Sequence, residues 1–541
     1  MGRIQEVFMR KRSLPFLLLL FLFSASLNLS AALTVTKVPD LSGSNEAPAI
    51  AVNKLGDLMV VYRNSYAGMA YYYKAHDGSS FVGPAAIPGQ DYSAYLKTMI
   101  FYTDMAVTKD GRFHAIWSFD IHKVDAGLYY ASFDPSTKSW TTPQKIGAGK
   151  VERPILTANT FNDDLLLAYD EYTGGINKDV FLKVMKSGTW RPAINISNPP
   201  EGFKPNHVTV LNRTDEAEGR PFQLSDKKAV MAPHGDLSET DAYVTVDDMT
   251  GYVYLTYKED HREVVTDDWE LRVVVALLDP STYDILWTEQ VTSGYLGFHF
   301  LPTVSAFNDK AMMAFAWYQE GTYNYIAFER KGNTLVYDSH VLEDHPIAAI
   351  PVAPHWEFFS RWLSYGDEFL FTYKTQGLGI NLLRYKNGQW IDRNPVDLLG
   401  GDRAGWPYDS FLDTKRGLWT AWVNREASSS ILFSLYDYTR NILLPAVDVK
   451  VETIADRAFL TKSYLNIVTW ANNPFNERLG LPVSLYRVYR KRKGSSAYAR
   501  VAEVNASTKE YRDENVTAGD YLDWDYVISC VDERGNESPL N

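Results

Sequence analysis

The residues able to do chemistry in this chain are charged and aromatic side chains that recur at repeated places. Four carboxylates, Asp170, Glu171, Glu239 and Asp409, offer the pairs that glycosidic-bond hydrolysis needs at a set separation. Three histidines, His207, His299 and His355, each precede or open an apolar run, the setting for a base that would abstract a proton from an acidic sugar. Arg63, Arg153 and Arg425 are guanidinium groups that can take a carboxylate bidentately, and Asp104 stands in a similar place. No His-x-x-x-His pair, EF-hand loop, P-loop or nucleophile elbow is present, so neither a metal nor a cofactor is expected. Asp247-Asp248 and Asp267-Asp268 read as a turn and a solvated acidic loop.

The elements that must position these residues follow from a repeat. Seven short apolar runs end in an aromatic, at Tyr62, Trp117, Tyr169, Tyr257, Trp317, Tyr373 and Trp422. Each lies 49 to 60 residues from at least one neighbour, and the one long gap, Tyr169 to Tyr257, carries an insertion at residues 211–239. β-prone segments at such a period mark a propeller. PILTANTFNDDLLLAY, from Pro154, reads as strand, turn and strand; DVFLKVM and SGTWRPAINIS add a third strand, a turn and a fourth. A proline stands 14 or 15 residues before the aromatic at Pro48, Pro154, Pro302 and Pro407. Seven repeats predict seven blades, with six as the alternative if one is degenerate. The last repeat lacks a fourth strand, and LTVTKV from Leu33 is expected to supply it and close the ring, removing two exposed sheet edges. In such a ring the start of each inner strand and the end of each second strand share one face around the channel mouth. The candidate mouth residues are therefore Arg63, Asp104, Arg153, Asp170, Glu171, His207, Glu239, His299, His355, Asp409 and Arg425. The insertion is expected to cover or line a site there.

The third-to-fourth turn places Trp140, Trp190 and Trp390 at matching positions, as in KSGTW from Lys186 to Trp190. This element resembles a degenerate Asp-box (BNR) repeat of sialidase-like propellers, keeping the glycine and the tryptophan, and these tryptophans are expected to pack between sheets. The resemblance spans roughly residues 45–441. It implies three arginines clamping a carboxylate, a Tyr–Glu nucleophile pair and an Asp acid. Arg153, in Glu-Arg-Pro, resembles the family's first arginine in its local setting, with Arg63 and Arg425 to join it. The family's Arg-Ile-Pro falls in the first blade, where this chain has Glu46-Ala47-Pro48. After Pro445 the composition shifts, and residues 445–541 resemble a fibronectin type III domain. Trp470 stands at that family's buried tryptophan, and Tyr526, Ile528 and Cys530 alternate inward like its Tyr-corner strand. Cys530, the single cysteine, is then expected to be buried and inert.

The N-terminus carries a basic stretch, Arg10-Lys11-Arg12, an apolar core from Leu14 to Phe23, and small residues at Ser30-Ala31-Ala32, the pattern of an export signal. Removing residues 1–32 takes away four basic residues and one acidic residue and moves the net charge from −12 to −15. Such a balance disfavours nucleic acid or an anionic membrane surface as partner. No later run is long and apolar enough to enter a bilayer. With 35 Tyr and 14 Trp the chain is rich in residues that contact sugar faces and protein hot spots alike. The expectation is an all-β protein: signal peptide 1–32, β-propeller 33–444, and fibronectin type III-like β-sandwich 445–541. Its expected role is extracytoplasmic recognition of a glycan or protein at a bacterial cell envelope or in the medium. The alternative is a carbohydrate-active enzyme, a sialidase-like hydrolase or a polysaccharide lyase.

Overall fold

The computed structural model describes residues 32–541 except 79–80, 90–101, 120–126, 148–150, 175–176, 198–213, 216–219, 222–237, 263–268, 292–298, 318–321, 338–359, 366–367, 375–378, 392–394, 406–407, 414–416, 425–429, 438–442, 459–460, 479–480, 518, 534 and 541. Residues 1–31, nearly all of the 211–239 insertion, and His207, His355 and Arg425 thus lie outside the described residues. Within the insertion, Thr214–Asp215 pairs with Arg220–Pro221.

Apolar alternation and hairpin turns build seven antiparallel sheets of four or five strands from the described residues of the first 437. Their inner strands are Asn45–Val52, Tyr102–Val107, Val151–Ala158, Ser238–Val246, His299–Phe307, Ser360–Tyr365 and Asp409–Leu412, taken here as sheets one to seven. Each inner strand neighbours the next, and the seventh returns to the first. The arrangement is a β-propeller. The ring is closed as the sequence predicts: Ala32–Lys37 pairs antiparallel with Ile431–Asp437, so the start of the described chain becomes the outer strand of the seventh sheet.

The aromatic beat has a packing cause. Each of the seven residues lies on a second strand. Tyr62, Trp117, Tyr169, Tyr257, Tyr373 and Trp422 are buried. The recurring Trp has a different one. Trp140 meets Tyr71 of the preceding sheet edge-on at 5.4 Å, Trp190 meets Tyr130 at 5.3 Å, and Trp390 meets Tyr325 at 5.3 Å. In each case a fourth-strand Trp seats on a third-strand Tyr of the sheet before it, the offset geometry that aromatic quadrupoles prefer.

Pro48, Pro154 and Pro302 mark a bulge, which the fourth sheet repeats without a proline. Pairing between inner and second strand shifts register between Glu46 and Ala49, Glu152 and Ile155, Thr240 and Tyr243, and Phe300 and Thr303. Ala47, Arg153 and Asp241 sit there at φ 47°, 43° and 61°. Proline, which has no N–H to give a ladder, is suited to follow such a residue. At the opposite end of the sheets, short turns are stitched to their neighbours. Asn53 donates to the Gly111 carbonyl at 3.2 Å, the Lys109 amide to Asp163 at 2.9 Å, and Thr160 to Asp248 at 3.0 Å. The buried Asp247 accepts from the amides of Asn308 and Asp309 at 2.9 and 2.8 Å, so this acidic pair serves turns.

Beyond the ring stand two three-stranded sheets. One orders Val447–Ala458, Thr461–Ala471 and Glu510–Val516; the other orders Ala499–Asn505, Leu485–Arg492 and Trp524–Val531. Trp470, Tyr526, Ile528 and Cys530 are all buried between them. Burial pushes the Cys530 thiol up to about 12, so it is an inert thiol at neutral pH. A short helix, Pro474–Arg478, fastens this part to the turn face of the ring. Phe475 packs edge-on against Phe307 at 5.3 Å. The Arg478 guanidinium lies 3.8 Å from the Phe161 ring centroid and donates to the Asp248 carbonyl. Asn476 both accepts from the Leu444 amide and donates to its carbonyl, which holds the connecting segment against the helix.

Replacing Trp190 by alanine removes one of the inter-sheet seats. A loss of about 2–4 kcal/mol is expected for a partly buried aromatic, read as a lower midpoint in chemical denaturation, with Trp190→Phe losing less than half of that.

Candidate active or recognition site at the channel

Three inner strands bring charged residues to the axis. Asp104 on the second sheet and Asp409 on the seventh are 2% and 3% exposed. Arg361, on the sixth, lies between them: its Nε is 3.0 Å from Asp409 Oδ1 and an Nη is 3.3 Å from Asp104 Oδ1. The other oxygen of each carboxylate faces the next sheet. Asp104 Oδ2 accepts from the Leu156 amide at 2.8 Å, and Asp409 Oδ2 accepts from the Ile50 amide at 2.8 Å. Tyr243 of the fourth sheet completes the group, its ring centroid 5.9 Å from the guanidinium carbon. One cation and two anions thereby touch six of the seven sheets.

Burial dominates the electrostatics here. It raises both carboxyls, and the nearby Arg361 charge offsets this only in part; Asp409, also repelled by Asp104, reaches about 7. Burial opposes the charge on Arg361 too, but the flanking carboxylates outweigh it and hold the guanidinium firmly cationic. Near neutral pH Asp409 therefore carries its proton for part of the time while the arginine stays charged.

The other described candidates lie toward the starts of inner strands or the ends of second strands. Arg63 is ion-paired with Glu46 across the first hairpin. Arg153 pairs with Asp241 of the next sheet and donates from Nε to the Tyr102 hydroxyl at 3.3 Å. Lys258 lies 3.8 Å from the same Asp241. Asp170, 1% exposed, is 3.6 Å from Lys178. Glu171 follows it on the strand, and its charge acts on Lys183, whose ammonium burial nevertheless pushes down. Glu239 and His299 occupy the starts of the fourth and fifth inner strands, opposite Glu259 and Trp317 in register. Of the candidates, the structure unites Asp104 with Asp409; Arg63 and Arg153 each hold a separate acid.

The sequence reading missed Arg361, although a signal was present. Asp104 and Asp409 stand 13 residues before their beat aromatics, Trp117 and Trp422, and Arg361 stands 12 before Tyr373. Aligning the repeats on those aromatics puts all three at one level of the channel. Arg153 also has a plainer explanation than catalytic strain. Ala47 adopts the same backbone shape in the first sheet with no functional side chain, so the bulge belongs to the architecture.

No family model and no curated protein matches the chain. Among solved structures it is similar to an ulvan lyase described as a new polysaccharide lyase family, at 11% identity over 74% of this chain and 95% of that one, TM-score 0.45. It is similar to a catalytically inactive virginiamycin B lyase from Staphylococcus aureus, at 10% identity over 75% and 99%, TM-score 0.39. A thermostable family-43 glycoside hydrolase matches at 14% identity over 57% and 96%, TM-score 0.31. Likeness at this level concerns the arrangement of strands and carries nothing about ligand or reaction.

Two outcomes follow from the channel group. Arg361→Met leaves two buried acids facing each other and is expected to cost about 3–5 kcal/mol, measured by denaturant unfolding. The second concerns pH. A carboxyl whose folded pKa is raised keeps its proton where the unfolded chain has lost it, so its contribution falls as pH rises from about 4 to about 7 and then levels off. Asp409→Asn should flatten that part of the stability–pH curve, measured as Tm between pH 4.5 and 8; an unchanged slope would rule out the raised acid.

Proposed function

We propose that the chain is an exported recognition protein, a seven-bladed propeller whose mouth face binds a glycan or a protein outside the cytoplasm. In this reading each of the seven sheets is one blade, residues 1–32 direct export, and residues 445–541 form a fibronectin type III-like module. The observation that carries it is the state of three arginines, two at this end and one at the axis. Arg63 is met by Glu46, Arg153 by Asp241, and Arg361 by both Asp104 and Asp409. A carboxylate clamp needs several arginines aimed at one vacant point, whereas these are each engaged by an acid of the protein itself. What remains for a ligand is a face of paired charged groups beside the exposed Tyr66 ring, the chemistry of recognition.

A second reading, a carbohydrate-active enzyme, is favoured by one observation: Asp409 is pushed up to about 7, where a carboxyl can exchange a proton at neutral pH. Against it, the carboxylate is deeply buried and engaged on both oxygens.

Glycan-array binding and degradation with residues 33–541 separates the readings. Binding without cleavage is the expected result. Cleavage of an acidic glycan that is lost in Asp409→Asn, but kept in Arg153→Ala, would replace recognition by catalysis at the channel. Silence in both assays would direct the search to a protein ligand.

A further inference from the structure

Among the described large apolar residues that stand clear of the surface, Tyr66 is the most exposed, at 71%. It lies in the turn between the second and third strands of the first sheet, three residues after Arg63, at the mouth end. Exposure of a single aromatic is ordinary; the way this one is held is not. Asn64, 1% exposed, accepts from the amides of Tyr66 and Ala67 at 2.9 and 2.8 Å. Its amide nitrogen donates to the Ser42 carbonyl at 3.1 Å and to Asn45 at 2.8 Å. Ser65 and Ser44 are joined twice, amide to carbonyl and amide to hydroxyl, both at 2.9 Å. The turn is therefore pinned to the segment before the inner strand from both sides.

Gly43 shows that the ring itself has an assigned place. It adopts φ +110°, and a Cβ there would stand 2.6 Å from Tyr66 Cδ2 and 2.6 Å from Ser65 Oγ. Only glycine lets the ring lie against the backbone at this point. One side of the tyrosine is thus supported while the rest is open to solvent, and little conformational entropy is left to lose when something stacks on it.

The surroundings choose the kind of ligand. The residues that pin the turn are Ser42, Ser44, Asn64 and Ser65, a polar setting unlike the apolar centre of a protein–protein interface. The Arg63–Glu46 pair at the same end supplies a donor and an acceptor together. A pyranose has an apolar C–H face for an aromatic ring and hydroxyls for such a pair. On these grounds, and resting on the recognition reading above, we propose that Tyr66 is the stacking platform on which the mouth face of the ring receives a sugar ring of a glycan.

The test is calorimetric titration of residues 33–541 with hexasaccharides of polygalacturonate, chondroitin sulfate, alginate and xylan. At least one is expected to bind the wild type. Tyr66→Ala and Tyr66→Leu should then weaken binding roughly tenfold or more, a loss of about 1.4 kcal/mol, while Tyr66→Phe stays within about threefold and all three keep the wild-type Tm. Wild-type affinity in the alanine variant would overturn the platform and leave the recognition reading standing. Wild-type affinity in the leucine variant alone would replace stacking by simple apolar contact. No binding of any of the four by the wild type at millimolar sugar would overturn the platform and the glycan form of the recognition reading, leaving a protein ligand.

Discussion

Arg361 is the point through which the ring is tied together. A propeller has no single core: each sheet packs only on its neighbours, and the axis is where distant sheets can be joined. Here one guanidinium spans the sixth, seventh and second sheets, and the carboxylates it neutralises each reach an amide of the following sheet, in the first and the third. Without the arginine the two acids would be left buried with no cation to offset their charge, at a cost of several kcal/mol. The seam where the ring closes is covered twice over. Asp409 binds Ile50 at the axis, and Ala32–Lys37 completes the seventh sheet at its outer edge.

From the axis outward the same logic repeats with weaker groups. Midway, Trp140, Trp190 and Trp390 rest on tyrosines of the preceding sheets. On the turn face, Asn53, Lys109, Thr160 and Asp247 carry hydrogen bonds from one sheet to the next. That face is also where the C-terminal sheets are fastened, by Phe475 on Phe307 and Arg478 on Phe161. On the opposite face the bulges turn Arg153 and Asp241 toward each other and Tyr66 stands open, and this is the face proposed for a ligand.

Much of this architecture is legible in the chain because it rests on periodic burial. The beat aromatics, the Trp of the third turn and the closing strand from Leu33 are repeated local solutions to one packing problem, and each can be read from residue type and spacing. The prolines at 48, 154 and 302 were visible as a pattern, but their cause, a bulge, needs the register of the second strand. The site was less legible. Asp104 and Asp409 were found among the mouth candidates that the repeat supplies, whereas Arg361, whose spacing to its aromatic is one residue shorter, was recognised from a contact between residues 257 apart. Nor does sequence reveal that Arg63 and Arg153 are engaged by Glu46 and Asp241, since ion pairing depends on side-chain direction rather than spacing. Tyr66 escaped for the same reason: its role comes from Gly43 lying beneath it.

The central claim, that Arg361 bolts separate sheets into one unit, is tested most directly by native-state hydrogen exchange at the amides of Ile50 and Leu156. These amides lie on the first and third sheets, each bonded to a carboxylate that Arg361 neutralises. In the wild type both should exchange only through the largest opening of the ring. In Arg361→Met both should lose protection together, by roughly a hundredfold or more, given the few kcal/mol at stake in breaking a buried ion pair. Protection of both amides unchanged in the variant, or lost at one alone, would contradict the account and leave the ring held by its sheet-to-sheet packing.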